Sequence, residues 1–180
     1  SDRIATSIGL SRAVHPSAAT TVVVARAGTY ADALAAAPLA ARLGAPVLLT
    51  PSNGVTGALQ DEVRRLGATT AWLIGGTSAL QPAVEQGLRD AGVADVVRVA
   101  GASRYDTARL IAGELGGTAA YVVAADRWPD AVAVSGLAAR TNAAILLVDR
   151  DRVPSETVAA LAGRTQIDVV GGTGVISAAV

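Results

Sequence analysis

The chain has 180 residues, 51% of them hydrophobic, and its 15 basic residues balance 15 acidic ones. This length allows one medium domain or two small ones with a real core. A formal net charge of zero provides no basic field that would attract nucleic acid or an acidic membrane surface. Because there is no cysteine, disulfide bonds and thiol nucleophiles are excluded.

All basic residues are arginine, and two interpretations of this bias remain open. It reflects coding preference in a GC-rich genome, or the planar, forked guanidinium groups recognise carboxylates or phosphates of a polymer. Aromatic residues make up only 3% of the chain and leave little surface for stacking on bases or sugars. The apolar runs are short and broken by Gly, Pro or Arg, so we expect no membrane insertion. No signal peptide is recognisable, and Ser1 is expected to be a processed end or a boundary.

The first hundred residues predict helices and strands in alternation. Asp2 fits the N-cap of a helix over residues 3–13. A β-branched strand over 20–24 then leads through a turn at Gly28 into an alanine-rich helix and a second buried strand, a βαβ unit that implies a parallel sheet. That helix and the elements that follow are predicted over 31–43 (helix), 45–50 (strand), 56–66 (helix), 70–74 (strand), 80–91 (helix) and 95–100 (strand). The helix over 56–66 is amphipathic, and its expected solvent side carries Gln60, Asp61, Glu62, Arg64 and Arg65.

The second half of the chain repeats the first. Asp32-Ala33 matches Asp130-Ala131, 98 residues later. The other matched pairs are Gly75-Gly76-Thr77 with Gly171-Gly172-Thr173, 96 residues apart, and Arg3 and Thr6 with Arg104 and Thr107, 101 residues apart. A period near 100 residues is too long for a solenoid and indicates two copies of a small α/β module. We therefore predict one module over 1–100 and a second over 101–180. Because Val180 matches Val84 inside a predicted helix, we expect the full protein to be longer.

Each copy predicts a three-layer α/β module with a mostly parallel sheet, flavodoxin-like or Rossmann-like. In the second copy, Ser103 and Asp106 fit a capping box at the first helix. The elements of that copy are predicted over 104–115 (helix), 120–124 (strand), 129–140 (helix), 144–148 (strand), 154–162 (helix) and 167–170 (strand). Pro38 and Gly136 hold matching positions inside a helix and both weaken a helix interior, which predicts a kink or break in both copies.

Acidic and basic residues recur at matching positions of the two copies. Asp32 and Asp130 each follow a strand in the first turn of a helix, where an acid complements the helix dipole. Alternatively, they contact a ligand in the crevice at the carboxyl ends of the strands. Arg3 and Arg104 begin helices, where a cation opposes the dipole and needs a partner. That partner is Asp32 or Asp130, another module, or a ligand anion.

Other repeated polar positions have local explanations beside functional ones. Thr6 and Thr107 fit helix packing or local hydrogen bonding as well as ligand contact. Two glycine pairs end strands, where their amides either form a tight turn or cradle a phosphate; they are Gly75 with Gly76 and Gly171 with Gly172. The only histidine is His15 beside Pro16, so neither a histidine metal cluster nor a Ser-His-Asp triad is supported. We predict no catalytic residue, no metal and no cofactor.

Four motifs in the same order, present twice, resemble the cell-wall-binding repeat type 2 of Gram-positive surface proteins. In this chain they are Arg104-Tyr105-Asp106-Thr107-Ala108, Asp32-Ala33-Leu34-Ala35, Ala45-Pro46-Val47-Leu48-Leu49-Thr50 and Ile74-Gly75-Gly76. Two copies cover essentially the whole chain. The departures are Ile4 in place of an aromatic residue after Arg3, and the loss of Pro46 and Thr50 from the second copy.

The resemblance implies a non-catalytic, extracellular module at the cell wall or cell surface. It implies non-covalent binding to an anionic secondary wall polymer. The candidate ligand contacts in this chain are Arg3, Thr6, Asp32, Gly75, Gly76, Arg104, Tyr105, Thr107, Asp130, Gly171 and Gly172. The resemblance also implies three modules packed with pseudo-symmetry, the third supplied by the same chain or by a homo-oligomer. Two alternatives are a small-molecule-binding or hydrolytic α/β domain that uses the strand-end crevice, and a purely structural assembly module.

Overall fold

The computed structural model describes residues 2–180, which divide into two compact units. Unit 1 is the chain up to Ala33 together with Leu43–Ala100, and unit 2 is Leu34–Arg42 together with Gly101–Val180. Helices and strands alternate along the chain as predicted. In order they are α1 (Arg3–Val14), β1 (Thr21–Arg26), α2 (Ala31–Ala35), α3 (Ala37–Arg42), β2 (Val47–Thr50), α4 (Gly57–Leu66), β3 (Thr70–Ile74), α5 (Pro82–Asp90), β4 (Asp95–Val99), α6 (Arg104–Leu115), β5 (Ala119–Ala124), α7 (Trp128–Thr141), β6 (Ala144–Val148), α8 (Ser155–Leu161) and β7 (Gln166–Val170).

The sheet of unit 1 has the strand order β2-β1-β3-β4, and every neighbouring pair is parallel. The central strand β1 contains the apolar run Val22, Val23 and Val24, which is fully buried, as in parallel strands that are covered on both faces. Leu59 of α4 and Leu88 of α5 belong to the same core. The mostly parallel sheet predicted from the βαβ pattern is confirmed.

The sheet of unit 2 has the order β6-β5-β7, again with parallel pairs. Its register repeats that of unit 1, since Val23 pairs with Val47 and Tyr121, 98 residues later, pairs with Ile145. Because both residues of each pair recur at one spacing, the two copies build the same β-α-β geometry. The predicted α/β class with two tandem modules is confirmed.

Side-chain caps fix the starts of the long helices. Asp2 accepts a hydrogen bond from the Ala5 amide, as predicted for the N-cap of α1. Ser103 accepts from the Asp106 amide and caps α6. The reciprocal half of the capping box differs from the prediction, because the Asp106 carboxylate accepts from the Ala102 amide and not from Ser103. The aspartate side chain is shorter than the glutamate that usually completes such a box.

The helix interruption predicted for both copies is present only in the first. There the helix is divided at Ala36 into α2 and α3, just before Pro38. In the second copy α7 runs without a break through Gly136. The difference follows from chemistry, since proline removes an amide donor and clashes with the preceding turn, whereas glycine only lowers helix propensity.

The short segment Leu34–Arg42 belongs to unit 2, although its sequence lies in the first copy. Its helix α3 packs on α7 and α6, and Leu39 is only 1% exposed. Arg42 donates to the backbone carbonyls of Glu114 and Leu115 at the end of α6. A cation there complements the negative end of the helix dipole, so the segment is fixed by both apolar and polar contacts.

Candidate functional site

A small cavity lies at the carboxyl ends of β5 and β6 in unit 2. Its volume is about 170 Å³, and Ala125 and Val148 contribute its apolar part. The polar side chains that line it come from the start of α6 and from the segments after the two strands; they are Arg104, Tyr105, Asp126, Asp149 and Arg150. We call this cavity the strand-end pocket. Open α/β sheets bind ligands at this edge, which makes the pocket the candidate site.

Arg104 reaches the pocket from the first turn of α6. Its Nη1 donates to the carbonyl oxygen of Ala125 at 3.2 Å, just after β5. The matching Arg3 of α1 donates in the same way to the carbonyl of Ala27 at 3.0 Å, just after β1. The partner required by a cation at a helix start is therefore a backbone carbonyl in both copies. The partners expected from the sequence were Asp32 or Asp130, another module, or a ligand anion, and a backbone carbonyl was not among them.

Tyr105 and Arg152 hold Asp149 in place at the pocket wall. The Tyr105 hydroxyl donates to one carboxylate oxygen, and Arg152 donates to the other through Nε at 3.1 Å and Nη2 at 2.5 Å. These hydrogen bonds, first that from Tyr105 and then that from Arg152, lower the pKa of Asp149. Burial and the Asp149 carboxylate raise the pKa of Tyr105. Tyr105 thus stays a donor and Asp149 stays an anion across the physiological pH range.

Asp126 and Arg150 complete the pocket from exposed positions in the turns that follow β5 and β6. Neither side chain makes a hydrogen bond or ion pair with any other part of residues 2–180. These two residues, with Asp149, were missed by the sequence analysis. Their signal was available, since each is a charged residue within two positions of the end of a buried strand of the second copy.

Asp32 and Asp130 lie against the glycine pairs and do not line the pocket. A carboxylate oxygen of Asp32 is 3.3 Å from where a Cβ of Gly75 would be, and one of Asp130 is 3.4 Å from that of Gly171. Both glycines have left-handed φ angles, 115° and 139°, which side-chain-bearing residues rarely adopt. In each unit the acid and the turn thus form one tightly packed feature.

The remaining predicted residues make local hydrogen bonds. Thr6 donates to the Asp2 carbonyl at 3.0 Å, and the buried Thr107 accepts from the Gly101 amide at 3.1 Å. The carbonyls of Gly76 and Gly172 each accept two amides of the turn that follows. This shared geometry is that of a tight turn, while a role of these residues in ligand contact stays a prediction.

Metal-binding clusters and membrane-spanning helices were sought among the residues that the structure describes. Residues 2–180 contain no group of three or more His, Cys, Asp or Glu side chains arranged to hold a metal ion. Among the same residues, no helix combines the length and apolar character that crossing a bilayer requires. Guanidinium donors and a carboxylate acceptor line the strand-end pocket instead, a combination whose hydrogen-bonding chemistry suits an anion-bearing group.

The sequence profile of cell wall binding domain 2 (CWB2) matches residues 1–85 and 98–180. The chain belongs to the CWB2 family. The two matched stretches confirm the tandem repeat and the resemblance drawn from the four motifs. Membership places the domain at the cell wall or cell surface, as the sequence predicted.

Two curated relatives from Bacillus subtilis (strain 168) contain a similar stretch. N-acetylmuramoyl-L-alanine amidase LytC is 32% identical over 180 residues, 98% of this chain and 36% of the relative. Amidase enhancer is 31% identical over 135 residues, 74% of this chain and 19% of the relative. The CWB2 chain therefore spans only about a third and a fifth of these proteins.

Two solved structures from Clostridium difficile share the fold. Cwp6 superposes with a TM-score of 0.93 and 24% identity over all of this chain and 29% of its own. Cwp8 superposes with a TM-score of 0.88 and 26% identity over 98% of this chain and 31% of its own. At this identity the likeness to Cwp6 concerns the fold alone.

Proposed function

We propose that the chain is a non-catalytic attachment module that binds an anionic secondary polymer of the cell wall without a covalent bond. The observation that carries this proposal is the strand-end pocket. Arg150 and the remaining N–H groups of Arg104 have no acceptor within residues 2–180 and line one cavity. Guanidinium groups bind carboxylate and phosphate through paired hydrogen bonds, which suits an anionic polymer.

The strand-end pocket gives no support to the enzyme alternative. That alternative placed Asp32 or Asp130 in the crevice at the strand ends, and the strand-end pocket, with a volume of about 170 Å³, is lined by neither. We infer that any activity of the full protein resides outside this chain, as it spans only 36% of the amidase LytC.

We expect the chain to co-sediment with purified Gram-positive wall sacculi and to lose this binding when the anionic polymers are removed from them. Binding should also weaken as salt rises, because ions screen contacts between guanidinium and anion. The measurement is the bound fraction over a salt series, with intact and stripped sacculi compared side by side. Equal binding to stripped sacculi, or none to intact ones, would contradict the proposal.

We further propose that another CWB2 module covers the outer face of α7. Leu39 of α3 is 1% exposed because it packs on α6 and α7, whereas Leu137, 98 residues later, is 49% exposed. Trp128 at the start of α7 is 56% exposed. By the internal repeat, this helix presents the surface that α3 buries. A further module in the longer protein, or a second copy of this chain, would bury it.

The isolated chain is therefore expected to self-associate as its concentration approaches the millimolar range, since such contacts between separate chains are weak. Leu137→Asp should keep it monomeric by placing a charge in the contact. Sedimentation velocity over a concentration series measures this. Leu10→Asp on α1, where Leu10 is exposed as well, is the matched control. A chain that stays monomeric throughout, or a Leu10 variant with the same effect, would count against the homo-oligomer.

A further inference from the structure

The two modules differ where the strand-end pocket lies. Arg104 keeps its counterpart, Arg3, and both donate to matching carbonyls. The other four polar lining residues are replaced in the first copy by residues without their charge or hydroxyphenyl group. The matching residues there are Ile4 for Tyr105, Gly28 for Asp126, Pro51 for Asp149 and Ser52 for Arg150. Unit 1 thus carries one of the five polar groups that line the pocket of unit 2.

Unit 1 also fills space that unit 2 leaves open. The side chain of Arg26, the last residue of β1, lies over the turn, with its Nε 3.3 Å from the Cβ position of Gly28. The matching residue at the end of β5 is Ala124, which is buried and has no side chain to extend over the turn. A residue like Asp126 at position 28 would therefore contact Arg26. The difference between the modules lies in shape as well as in charge.

The charged residues of the pocket differ in whether their charge is already compensated. Asp149 is engaged by Tyr105 and Arg152, so its charge is already compensated. Arg104 and Arg150 offer donors to an anion. Asp126 offers an acceptor that suits a hydroxyl group. An anion that also carries hydroxyls satisfies all three residues, whereas a bare anion leaves Asp126 unpaired and close to a like charge.

We propose that the strand-end pocket of the second module holds one acidic sugar residue of the polymer, and that the first module has no such subsite. The carboxylate or phosphate of the sugar lies between Arg104 and Arg150, and a hydroxyl donates to Asp126. A cavity of about 170 Å³ suits one such residue and not a longer stretch. This inference rests on the proposed function and adds the location and chemistry of one contact.

The test titrates the 180-residue chain with glucuronate, glucose 6-phosphate, glucose and inorganic phosphate, followed by NMR shifts of the backbone amides. We expect the acidic sugars to shift Ala125, Asp126 and Arg150, and glucose to leave them unshifted. The stronger of the two acidic sugars identifies the anion as carboxylate or phosphate. Arg150→Gln should weaken acidic-sugar binding about tenfold or more, as expected for a lost charge-assisted hydrogen bond.

Two further variants separate the parts of the site. Asp126→Asn should weaken binding of the acidic sugars and leave that of inorganic phosphate equal or stronger, because it removes a negative charge. Arg26→Gln in the first module is the matched control and should change neither the binding of the acidic sugars nor that of inorganic phosphate. Shifts that cluster around Gly28 and Ser52, or an Arg26 variant as impaired as the Arg150 variant, would overturn the inference.

The sacculus assay separates this inference from the proposed function. If the wild-type chain binds sacculi in a salt-dependent way and Arg150→Gln binds equally well, the subsite is wrong and the attachment function stands. If the wild-type chain binds neither sacculi nor the sugars, both are wrong. Loss of sacculus binding in Arg150→Gln, with full binding by Arg26→Gln, supports both.

Discussion

Glu62→Gln should lower the free energy of unfolding by about 3 kcal/mol at neutral pH, because it removes the charge of a buried carboxylate that accepts charge-assisted hydrogen bonds from two arginines. Glu62 is 0% exposed at the interface of α4 and α1. Its carboxylate accepts from Ser11 at 2.7 Å, from Arg12 at 2.9 Å and twice from Arg65, at 2.7 and 2.9 Å. A neutral amide cannot accept all of these bonds. Urea unfolding of the two proteins measures the loss.

The same carboxylate makes stability depend on pH. The hydrogen bonds from Arg65 chiefly, with those from Ser11 and Arg12, lower the pKa of Glu62 from 4.5 to about 2, against the opposing effect of burial. Because the folded-state pKa lies below the unfolded one, the contribution is complete above pH 4.5 and is lost as pH falls toward 2. At about 1.4 kcal/mol per pKa unit, the shift corresponds to about 3 kcal/mol. This agrees with the cost expected for the variant.

The control for this prediction is Glu114→Gln, at an exposed glutamate near the end of α6. Its stability should stay within about 0.5 kcal/mol of the wild type. Between pH 5 and pH 3, the wild type and the control should lose stability while Glu62→Gln loses much less. If the Glu62 variant keeps the wild-type pH slope, the carboxylate does not hold α1 and α4 together as the contacts indicate.

Glu62 also shows where prediction from periodicity ends. The amphipathic pattern placed Glu62 on the solvent side of its helix, and this prediction is wrong because Glu62 is buried. A charged residue can be buried when residues distant in the sequence donate hydrogen bonds to it, as Ser11 and Arg12 do to Glu62. The N-caps of the two helices, Thr56 and Pro154, are 98 residues apart, which matches Glu62 with Ala160, so the fold does not require the cluster. The ion cluster belongs to one copy, and only tertiary contacts reveal it.

The fold itself was largely predictable because the repeat supplied two independent instances of each pattern. Apolar β-branched runs gave the strands, and Asp2 and Ser103 marked helix starts by chemistry that acts within four residues. The packing of Leu34–Arg42 within unit 2, rather than unit 1, was not predictable. It depends on the packing of α3 on α6 and α7, which lie far from α3 in the sequence.

The candidate site was predictable in part. The motifs located Arg104 and Tyr105, and both line the strand-end pocket. They also named Asp130 and Gly171, which pack against each other outside it. Asp126 and Arg150 were missed because the prediction relied on residues that recur in both copies, and these two residues do not recur. A site present in one copy is invisible to an argument from repetition.

Gly101→Ala is expected to lower the free energy of unfolding by about 3 kcal/mol, at the upper end of the usual cost of overpacking. A Cβ there would lie 2.5 Å from the carbonyl carbon and the Cβ of Asp106 and from the amide nitrogen of Thr107. These are mostly backbone atoms of the first turn of α6, so relief requires the helix to move. Movement would also break the bond from the Gly101 amide to Thr107 and displace Arg104.

Gly113→Ala, later in the same helix, separates this steric effect from helix propensity. A Cβ at Gly113 meets nothing within 4 Å, so alanine should stabilise the helix by about 0.5–1 kcal/mol. Urea unfolding should therefore give stability changes of opposite sign for the two glycine-to-alanine substitutions, and changes of equal sign would refute the argument from close approach.

Because α6 carries Arg104 into the pocket, Gly101→Ala should also weaken acidic-sugar binding under conditions where it stays folded, while Gly113→Ala leaves it unchanged. Close packing of Gly101 against the helix start thus sets the position of the arginine on which the site depends.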